Sequence, residues 1–569
     1  MMIKTYFRAI QLLIAVCLFS ACTGEDLVIN KKDKTFEGTP GISFMINAPK
    51  VSAKSRIAID ENSDIENVKT RTGITHTIGN GADAYWSAND YIYVQDHNGT
   101  WQKSTAIEVR DGGAAATFTL PLATYDDGCK VNYTITGDNV LGESTTASIH
   151  NVQTQAAPND FSHAGISGDC GFGIAHATDN PKEFDFTIKH VPSYLCFLPR
   201  CRHVALGKNI KLINIKVVNQ GTDQLAATYD INHFGGSGLN NRDNTITLTP
   251  TGGVPLNYQE TNIANACYMV IAPGTHHLTI SYTIRDNNGT STDITQEVNT
   301  TFESGKIYDV TVDLMPKDYP LYYMWDAQKD YFWNTDIYPW GSDFESTFYD
   351  GSRRYTWPSS KTEDPLRWYN DTYFSLHIPY SAQTELFKKL PNVNEMLWYC
   401  QKGDPHFDAN GATYLRITNG HLEKFTVGGM WFRKRQVIVD YLKTHEGYPA
   451  TLTWDNLKEG YKTSPTGTVM DFRVRWYVQW PVLFYNVNNN IAQGRPANIN
   501  DYFFLPMLGS YHAGQLSNLG YIGYYWSSSA ASDYGDSPYT ACCMSINPTS
   551  AGAYYYNGRA EGFSVGTFE

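Results

Sequence analysis

The sequence of 569 residues predicts a mainly β protein with two tandem β-sandwich domains followed by an α+β domain. Three observations predict this fold class. Residues 39–315 contain short runs in which apolar and polar residues alternate, separated by turn sequences such as HNGT (97–100) and RDGG (110–113). No stretch of residues 39–160 keeps a period of 3.6 residues. After residue 315, Trp and Tyr become dense, long strands become rare and short helical patches begin.

The amino-terminal segment has the parts of an export signal. Lys4 and Arg8 flank the start of an apolar run over residues 10–19, and small residues then lead to Cys22. At 1.5 Å per residue this run is too short for a membrane-spanning helix. The stretch resembles the lipobox of bacterial lipoproteins. The resemblance implies that residues 1–21 are a signal peptide and that Cys22 carries the lipid.

The residues after Cys22 indicate the side of the membrane. Glu25 and Asp26 resemble the surface-export signal of Bacteroidetes lipoproteins, and the polar stretch 22–38 reads as a tether. We therefore expect a surface-exposed lipoprotein of the cell outer membrane, anchored in its lipid through Cys22. The alternative is an ordinary secretory signal in which Cys22 has no role.

Composition limits the partners. The net charge of −13 and the isoelectric point near 5.6 argue against nucleic acid. Aromatic residues make up 14% of the chain, and Tyr and Trp provide wide amphipathic contact surface. A recognition protein is therefore favoured over a nucleic-acid-binding one.

The cysteines beyond the signal leave two alternatives open. Cys196 and Cys201 are close enough in sequence to form a disulfide, and His203 adds a third potential zinc ligand. A structural zinc site needs four ligands, so we predict no metal centre there. Cys542 and Cys543 are adjacent, and a disulfide between neighbours would be strained. We expect buried or locally paired thiols.

Residues 39–160 are predicted to form the first sandwich. Its strand-like runs are GISFMINA, DYIYVQD, ATFTLPL and KVNYTITG. Between the first two lies Thr70-Arg71, and the pattern W-x-x-x-D-x-I-x-V follows at residues 86–94. This order of motifs resembles the amino-terminal domain of the fimbrillin family of Bacteroides-type bacteria.

Residues 161–315 are predicted to form the second sandwich and extend the resemblance. FDFTIKHVPSYLCFLP resembles a fimbrillin strand pair, and Pro273-Gly274 predicts a turn before a long strand. In that strand Leu278 to Ile284 alternate with hydroxyl residues, which indicates one solvated face. A Gly-Lys-x-Tyr motif at 305–308 opens the last strand. The resemblance covers residues 40–315 and implies transthyretin-like or immunoglobulin-like sandwiches.

The fimbrillin resemblance also implies a mode of assembly. Such proteins are exported as lipoproteins, some are trimmed by an arginine-specific protease, and the subunits join when one donates a strand to another. Arg71 matches the Thr-Arg motif and is the first candidate cleavage site; Arg56 is the second. The alternative is that both are ordinary solvated side chains. The implied partners are other fimbrial subunits and a host or bacterial surface protein or glycan.

Residues 316–569 are predicted to form the third domain. The motifs FxLPxxG (503–509), GxYWSSS (523–529) and RxxGFxVG (559–566) resemble a carboxyl-terminal module of Bacteroides and Fibrobacter surface proteins, the major-paralogous type. The resemblance implies a C-type-lectin-like α+β fold. SAQTELFKKL (381–390) predicts a helix. The candidate ligand-contact and motif residues, which we expect to serve folding before function, are Trp526, Tyr525, Ser527, Trp398 and Trp431.

The sequence does not indicate an enzyme. It contains no H-E-x-x-H, G-x-x-x-x-G-K-[ST] or G-x-S-x-G motif, and we predict no catalytic residue and no cofactor. HFDANG (406–411) partly matches a calcium loop, but His406 stands where the first Asp belongs, so an Asx-turn is favoured.

Two functions remain. The first is a fimbrial (pilus) subunit that mediates attachment, at the tip or as an accessory subunit, because about 250 residues after the second sandwich would crowd a stalk junction. The alternative is a monomeric surface lipoprotein that binds glycans through its aromatic third domain.

Overall fold

The computed structural model describes residues 42–46, 73–135, 140–141, 144–180, 182–231, 238–316, 321–333, 357–372, 380–473, 487–531 and 539–569. Cys22, Arg56 and Arg71 lie outside these ranges. The structure is mainly β with several sheets, which confirms the predicted fold class. None of the helices in the described ranges has the length and apolar character needed to cross a membrane.

The first part of the chain contains thirteen strands. They are β1 (Ile42–Ile46), β2 (Gly73–His76), β3 (Ala82–Tyr85), β4 (Ile92–Gln95), β5 (Trp101–Lys103), β6 (Ala106–Arg110), β7 (Ala115–Leu120), β8 (Cys129–Thr134), β9 (Val140–Leu141), β10 (Ser144–Ser148), β11 (Val152–Gln155), β12 (Cys170–Ala177) and β13 (Glu183–His190). A short helix, α1 (Ala164–Ser167), precedes β12, and a 3-10 helix covers Asp111–Gly113. The four runs predicted as strands correspond to β1, β4, β7 and β8.

Eight of these strands form one sheet, here called the first sheet, in the order β5-β4-β8-β12-β13-β1-β7-β6. Trp86 shows how it folds, because its ring lies 5.0 Å from Phe118 on β7 and 5.3 Å from Tyr133 on β8. In a flat sheet these two strands, four places apart, would be separated by about 19 Å. The sheet therefore curls around a core that includes Trp86, as a sandwich requires.

The second part contains strands β14 (Ser193–Arg200), β15 (Ile210–Asn219), β16 (Ala226–Asp230), β17 (Asn240–Asp243), β18 (Thr245–Pro250), β19 (Val254–Pro255), β20 (Cys267–Ile271), β21 (Gly274–Asp286), β22 (Ser291–Phe302) and β23 (Ile307–Asp313). Helix α2 (Val204–Gly207) follows β14, and a 3-10 helix covers Ile263–Asn265. Pro273 lies between β20 and β21, which belong to different sheets, and Gly274 is the first residue of β21.

Two sheets form the second sandwich. One has the order β20-β14-β23, and the other β11-β18-β15-β21-β22, with β19 beside β15. Phe197 on β14 contacts Tyr282 on β21 with ring centroids 5.9 Å apart, so the sheets pack face to face. Leu278 and Ile284 are buried on the inner face of β21, which confirms the predicted alternation. A smaller sheet has the order β17-β16-β10-β9.

Some strands on one side of the predicted boundary at residue 160 pair with strands on the other side. β12 and β13, which follow that residue, pair within the first sheet. β11, which precedes it, pairs with β18 of the second sandwich. Alternation identifies a strand but not its partner, which explains why the sequence could not show this exchange. The division into domains at 39–160, 161–315 and 316–569 stays a prediction.

The third part contains strands β24 (Tyr322–Tyr323), β25 (His406–Thr418), β26 (His421–Arg433), β27 (Val487–Asn488), β28 (Ala492–Gln493), β29 (Tyr502–Pro506), β30 (Leu508–His512), β31 (Gln515–Leu519), β32 (Gly523–Ala530), β33 (Thr540–Asn547), β34 (Ser550–Gly558) and β35 (Phe563–Ser564). Its helices are α3 (Val393–Lys402), α4 (Arg435–His445) and α5 (Trp454–Lys458). Further 3-10 helices cover Phe387–Lys389 and Ile499–Asp501.

Helices and two sheets occur together in this part. The sheets are β24-β35-β32-β33-β34-β27, extended by β30 and β31, and β28-β25-β26-β29. The helix predicted at 381–390 is wrong: only a 3-10 turn forms there, and the longer helix α3 begins at the capping box of Asn392 and Glu395. The C-type-lectin-like assignment stays a prediction.

The cysteines after Cys22 are free, buried thiols, which confirms that expectation. Cys201 lies near the His203 carbonyl, and the His203 ring caps helix α2, so the zinc alternative is not assembled. Cys542 and Cys543 belong to separate core clusters on opposite faces of β33.

Candidate functional site

Strand β1 occupies the middle of the first sheet. It pairs antiparallel with β7 from Ile42 opposite Leu120, and parallel with β13 from Ser43 opposite Glu183. In the sequence, β1 precedes Arg56 and Arg71, whereas β7 and β13 follow them. Cutting the chain after either arginine would therefore leave β1 attached to the sheet by noncovalent contacts alone.

An apolar groove of about 470 Å³ lies beside β1. Met45 lines it together with Phe172 and Ile174 on β12, whose side chains are 39% and 52% exposed. Exposed large apolar side chains next to a strand enlarge the surface that the strand can cover. A strand in the place of β1 therefore meets two hydrogen-bonding partners and an apolar wall.

Four of the five candidate contact residues in the third part are buried. Trp526 donates its Nε1–H to the Tyr323 carbonyl at 2.7 Å, and Ser527 Oγ donates to the Cys542 carbonyl at 2.8 Å. Trp398 donates to the Leu457 carbonyl at 3.1 Å.

The exposed fractions of Trp526, Tyr525, Ser527 and Trp398 are 0 to 1%. A ligand at the protein surface cannot reach them. The proposal that these four side chains contact a ligand is therefore corrected. They form part of the core, which is the folding role that we expected for motif residues.

Trp431 differs, because it is half-buried and projects from the outer face of β26. Its neighbours Met430 and Phe432 point into the core, so residues 431 and 433 point outward. Trp431 lies opposite His406 on β25 and Phe504 on β29. We define the aromatic face as Trp431, Phe504, Tyr502, His406 and Arg433.

Two glycines allow the rings of the aromatic face to lie against the sheet. A Cβ atom at Gly429 would come within 2.3 Å of the Phe504 ring, and one at Gly411 within 2.0 Å. The Phe504 ring therefore packs directly over backbone. It reaches Trp431 with ring centroids 4.9 Å apart.

Charged groups border the aromatic face. Arg433 forms a 2.7 Å ion pair with Asp404, which also accepts a 2.8 Å hydrogen bond from the Tyr502 hydroxyl. Beside these groups a cavity of about 480 Å³ opens, lined also by His406 and Tyr441. The flat aromatic rings of the site can stack on the apolar face of a ligand ring. The carboxylate and the guanidinium can form hydrogen bonds with hydroxyl groups of the same ligand.

Asp408 forms the second charged edge. Its carboxylate accepts hydrogen bonds from the Asn410 amide at 3.0 Å, Trp431 Nε1 at 3.3 Å and Arg495 at 3.3 Å. Burial alone would raise the pKa of Asp408, but these hydrogen bonds lower it. The bond to Asn410 is the predicted Asx-turn.

Sequence reasoning proposed Trp431 as a contact residue but none of the other four residues of the aromatic face. The signal was available in GGMWFRK and DYFFLP, where outward residues alternate with buried ones. What the sequence could not show is that β26 and β29 are neighbours.

Several solved structures are similar to this chain, but their TM-scores are low. No family model and no curated protein matches the chain. A candidate cell adhesion protein from Bacteroides uniformis has a similar solved structure, with 13% identity, 40% of this chain and 89% of that chain covered, and a TM-score of 0.28.

Two fimbrial structures are also similar. The fimbrial anchor protein Mfa2 of Porphyromonas gingivalis is 10% identical over 43% of this chain and 82% of its own, with a TM-score of 0.21. A fimbrial protein of Bacteroides ovatus is 10% identical over 87% of this chain and 98% of its own, also with a TM-score of 0.21. Because these TM-scores are so low, the proposals below rest on this chain's own residues.

Proposed function

We propose that the chain is a cell-surface fimbrial subunit that assembles by strand exchange and mediates attachment. The observation that carries the proposal is the position of β1, which lies between β7 and β13 yet precedes Arg71. Cleavage at Arg71 frees β1 to leave. Its departure exposes unpaired backbone groups on both neighbours, which is the edge that a strand from another subunit can fill.

The position in the fimbrium follows from the other end of the chain. β23 is the last strand of the second sandwich, and the third part continues directly from it. Tyr322 and Met324 of that continuation are buried in the same core cluster as β23. Because the residues after β23 pack on the core of the second sandwich, β23 is not a free terminal strand that the subunit could donate. The chain therefore fits a tip or accessory position, with its lipid on Cys22 before cleavage.

The direct test is analysis of the mature surface protein. We expect acylated Cys22 in an uncleaved precursor and Thr72 as the new amino terminus after maturation. Arg71→Ala should abolish the heat-sensitive ladder of assembled subunits on a gel, whereas Arg56→Ala should leave it unchanged. Loss of the ladder in Arg56→Ala alone would contradict cleavage at Arg71. A mature chain that keeps residues 23–71 and migrates only as a monomer contradicts the proposal.

Strand exchange can be tested separately in vitro. A chain beginning at Thr72 should bind a peptide of residues 41–48, and the same peptide with M45P should not bind, because proline removes a ladder hydrogen bond. Equal binding of both peptides would contradict backbone pairing. Antibody labelling of the third part should mark filament ends; regular labelling along the filament would contradict the tip position.

The aromatic face supports a second function, binding of glycans by a monomeric lipoprotein. Ring surfaces at Trp431 and Phe504 are suited to the apolar faces of sugars, and Asp404 and Arg433 can bond hydroxyl groups. Glycan-array retention should fall for Trp431→Ala and stay unchanged for Tyr521→Ala, whose side chain is 74% exposed elsewhere in the third part. Equal retention by both variants would exclude this face.

A further inference from the structure

Three side chains of metal-ligating type meet inside the second sandwich. They are His76 at the end of β2, Cys196 on β14 and Asp309 on β23. One ligand atom of each lies within 4.8 Å of the other two. Cys196 is directly opposite Asp309 in the parallel pair of β14 and β23, so both side chains leave the same face of the sheet. All three residues are buried.

These residue types also occur in cysteine hydrolases, but the environment excludes that chemistry. Burial raises the pKa of the Cys196 thiol well above its usual range, and the charge of Asp309 raises it further. A buried thiol with a raised pKa is not a nucleophile for an external substrate. The cluster therefore calls for a different explanation.

Both ring nitrogens of His76 face oxygen atoms. Nδ1 lies 2.6 Å from the Gly81 carbonyl oxygen, and Nε2 lies 2.7 Å from Asp309 Oδ1. Both neighbours are acceptors when the carboxyl group is ionised, but a neutral imidazole carries one hydrogen. With that hydrogen on Nδ1, the Nε2 lone pair faces the carboxylate. A cation placed there would be shared by Nε2 and Oδ1.

We propose that His76, Cys196 and Asp309 bind a divalent transition-metal ion with the ligand preferences of zinc. The ligands are Nε2, Sγ and Oδ1. A divalent ion with one thiolate and one carboxylate is neutral overall, which a buried site requires. The bond from Nδ1–H to the Gly81 carbonyl fixes the tautomer and orientation of the ring, as in metal-bound histidines generally.

Tetrahedral coordination requires a wider separation of two of the ligand atoms. Bonds of about 2.0 Å to nitrogen and oxygen place those two atoms about 3.3 Å apart. The present separation of 2.7 Å between Nε2 and Oδ1 must therefore open by roughly 0.6 Å when the ion binds. Asp309 Oδ2 keeps its 2.9 Å hydrogen bond from the Gly79 amide.

We assign the fourth position of the proposed site to the Tyr268 hydroxyl. It lies opposite Cys196 on the neighbouring strand β20, and its hydroxyl interacts with the Cys196 thiol. The hydroxyl hydrogen is donated to Asn159 Oδ1 at 2.6 Å, so the oxygen lone pairs remain for a cation.

The ion would fasten the hairpin of β2 and β3 to the second sandwich. This hairpin is a separate two-stranded sheet, and such sheets are marginal on their own. Ile74 and Ala84 already bury apolar side chains in the sandwich core, and the ion adds a bond near the turn. The inference does not depend on the proposed function.

Cobalt substitution tests the site in the full chain. The protein is unfolded with chelator and refolded with Co²⁺, whose thiolate charge-transfer absorption and tetrahedral visible bands report the ligands. We expect one ion per chain in the wild type and in Cys201→Ser, a control that removes another buried thiol. Cys196→Ser should lose the thiolate band, and His76→Gln, Asp309→Asn and Tyr268→Phe should weaken binding, the first two by about tenfold or more.

A measurement on the wild type alone covers the case in which a variant fails to fold. Zinc should raise the midpoint of thermal unfolding above that in chelator, because an ion that binds the folded state stabilises it. Three results would overturn the proposal: no retained ion after desalting, identical midpoints in zinc and chelator, or an unchanged thiolate band in Cys196→Ser.

Discussion

The first sheet and the third part place their candidate functions in different kinds of structure. In the first sheet the proposed function depends on backbone pairing of β1 with β7 and β13. In the third part it depends on side chains that project from β26 and β29, while the motif residues beside them are core. The comparison teaches that a sequence motif can mark the scaffold and leave the recognition surface to less conspicuous neighbours.

The largest expected effect is in the core of the third part. Trp398→Ala removes a fully buried indole that donates hydrogen bonds to the carbonyls of Leu457 and Gly460. We expect a loss of about 3–5 kcal/mol in the free energy of unfolding, measured by urea titration. A loss below about 1 kcal/mol would show that Trp398 is not a core residue.

Met45→Pro tests the first sheet in the same way. Proline in the middle of β1 removes a backbone donor between two neighbouring strands, so we expect a loss of about 3 kcal/mol. Hydrogen exchange should rise first in β7 and β13 and leave β26 and β29 protected; Met45→Leu is the control. Equal loss of protection in both regions would break the comparison, because the two would then unfold as one.

Acid should lower the stability of the protein through His163, which directly precedes helix α1. Burial lowers the pKa of His163 to about 4, and its Nδ1 lies 2.8 Å from Ser167 Oγ. The unfolded chain binds a proton at higher pH, near 6.5, so stability from neutral His163 is present above pH 6.5 and is lost as the pH falls towards 4.

The loss from His163 amounts to about 3 kcal/mol. His163→Gln, which cannot be protonated, should lack this part of the pH dependence in denaturation at stepwise lower pH. Parallel curves for the wild type and the variant would refute the assignment.

The smallest effect on stability is expected at the aromatic face. Trp431→Ala truncates a half-buried ring, so we expect about 1 kcal/mol, well below Trp398→Ala. Urea titration of the two variants side by side measures the contrast. Equal losses would mean that Trp431 also belongs to the core.

Much of the strand content could be predicted from the sequence, because alternation directly reflects one buried and one solvated face. The inner residues of β21 and the outward position of Trp431 follow from it. Helix α3 was not predicted, because its residues from Val393 to Cys400 are all buried and it lacks the polar stripe of an amphipathic helix. Its cap, Asn392 with Glu395 three residues later, was the signal that remained.

Contacts between distant parts of the chain could not be predicted. His76 and Asp309 are 233 residues apart, and neither local propensity nor spacing links them. Partners are set by which strands share a sheet, and that depends on packing of the whole chain. For the same reason Trp526 could be recognised as a motif residue, whereas its complete burial could not.

The placement of β1 has a mechanical consequence. A load applied to the chain at Ile42 pulls on this strand. Because β1 is bonded on both flanks, such tension loads the rungs of two ladders together instead of opening them one after another. The strand on which exchange would depend is thus also the one arranged to resist pulling.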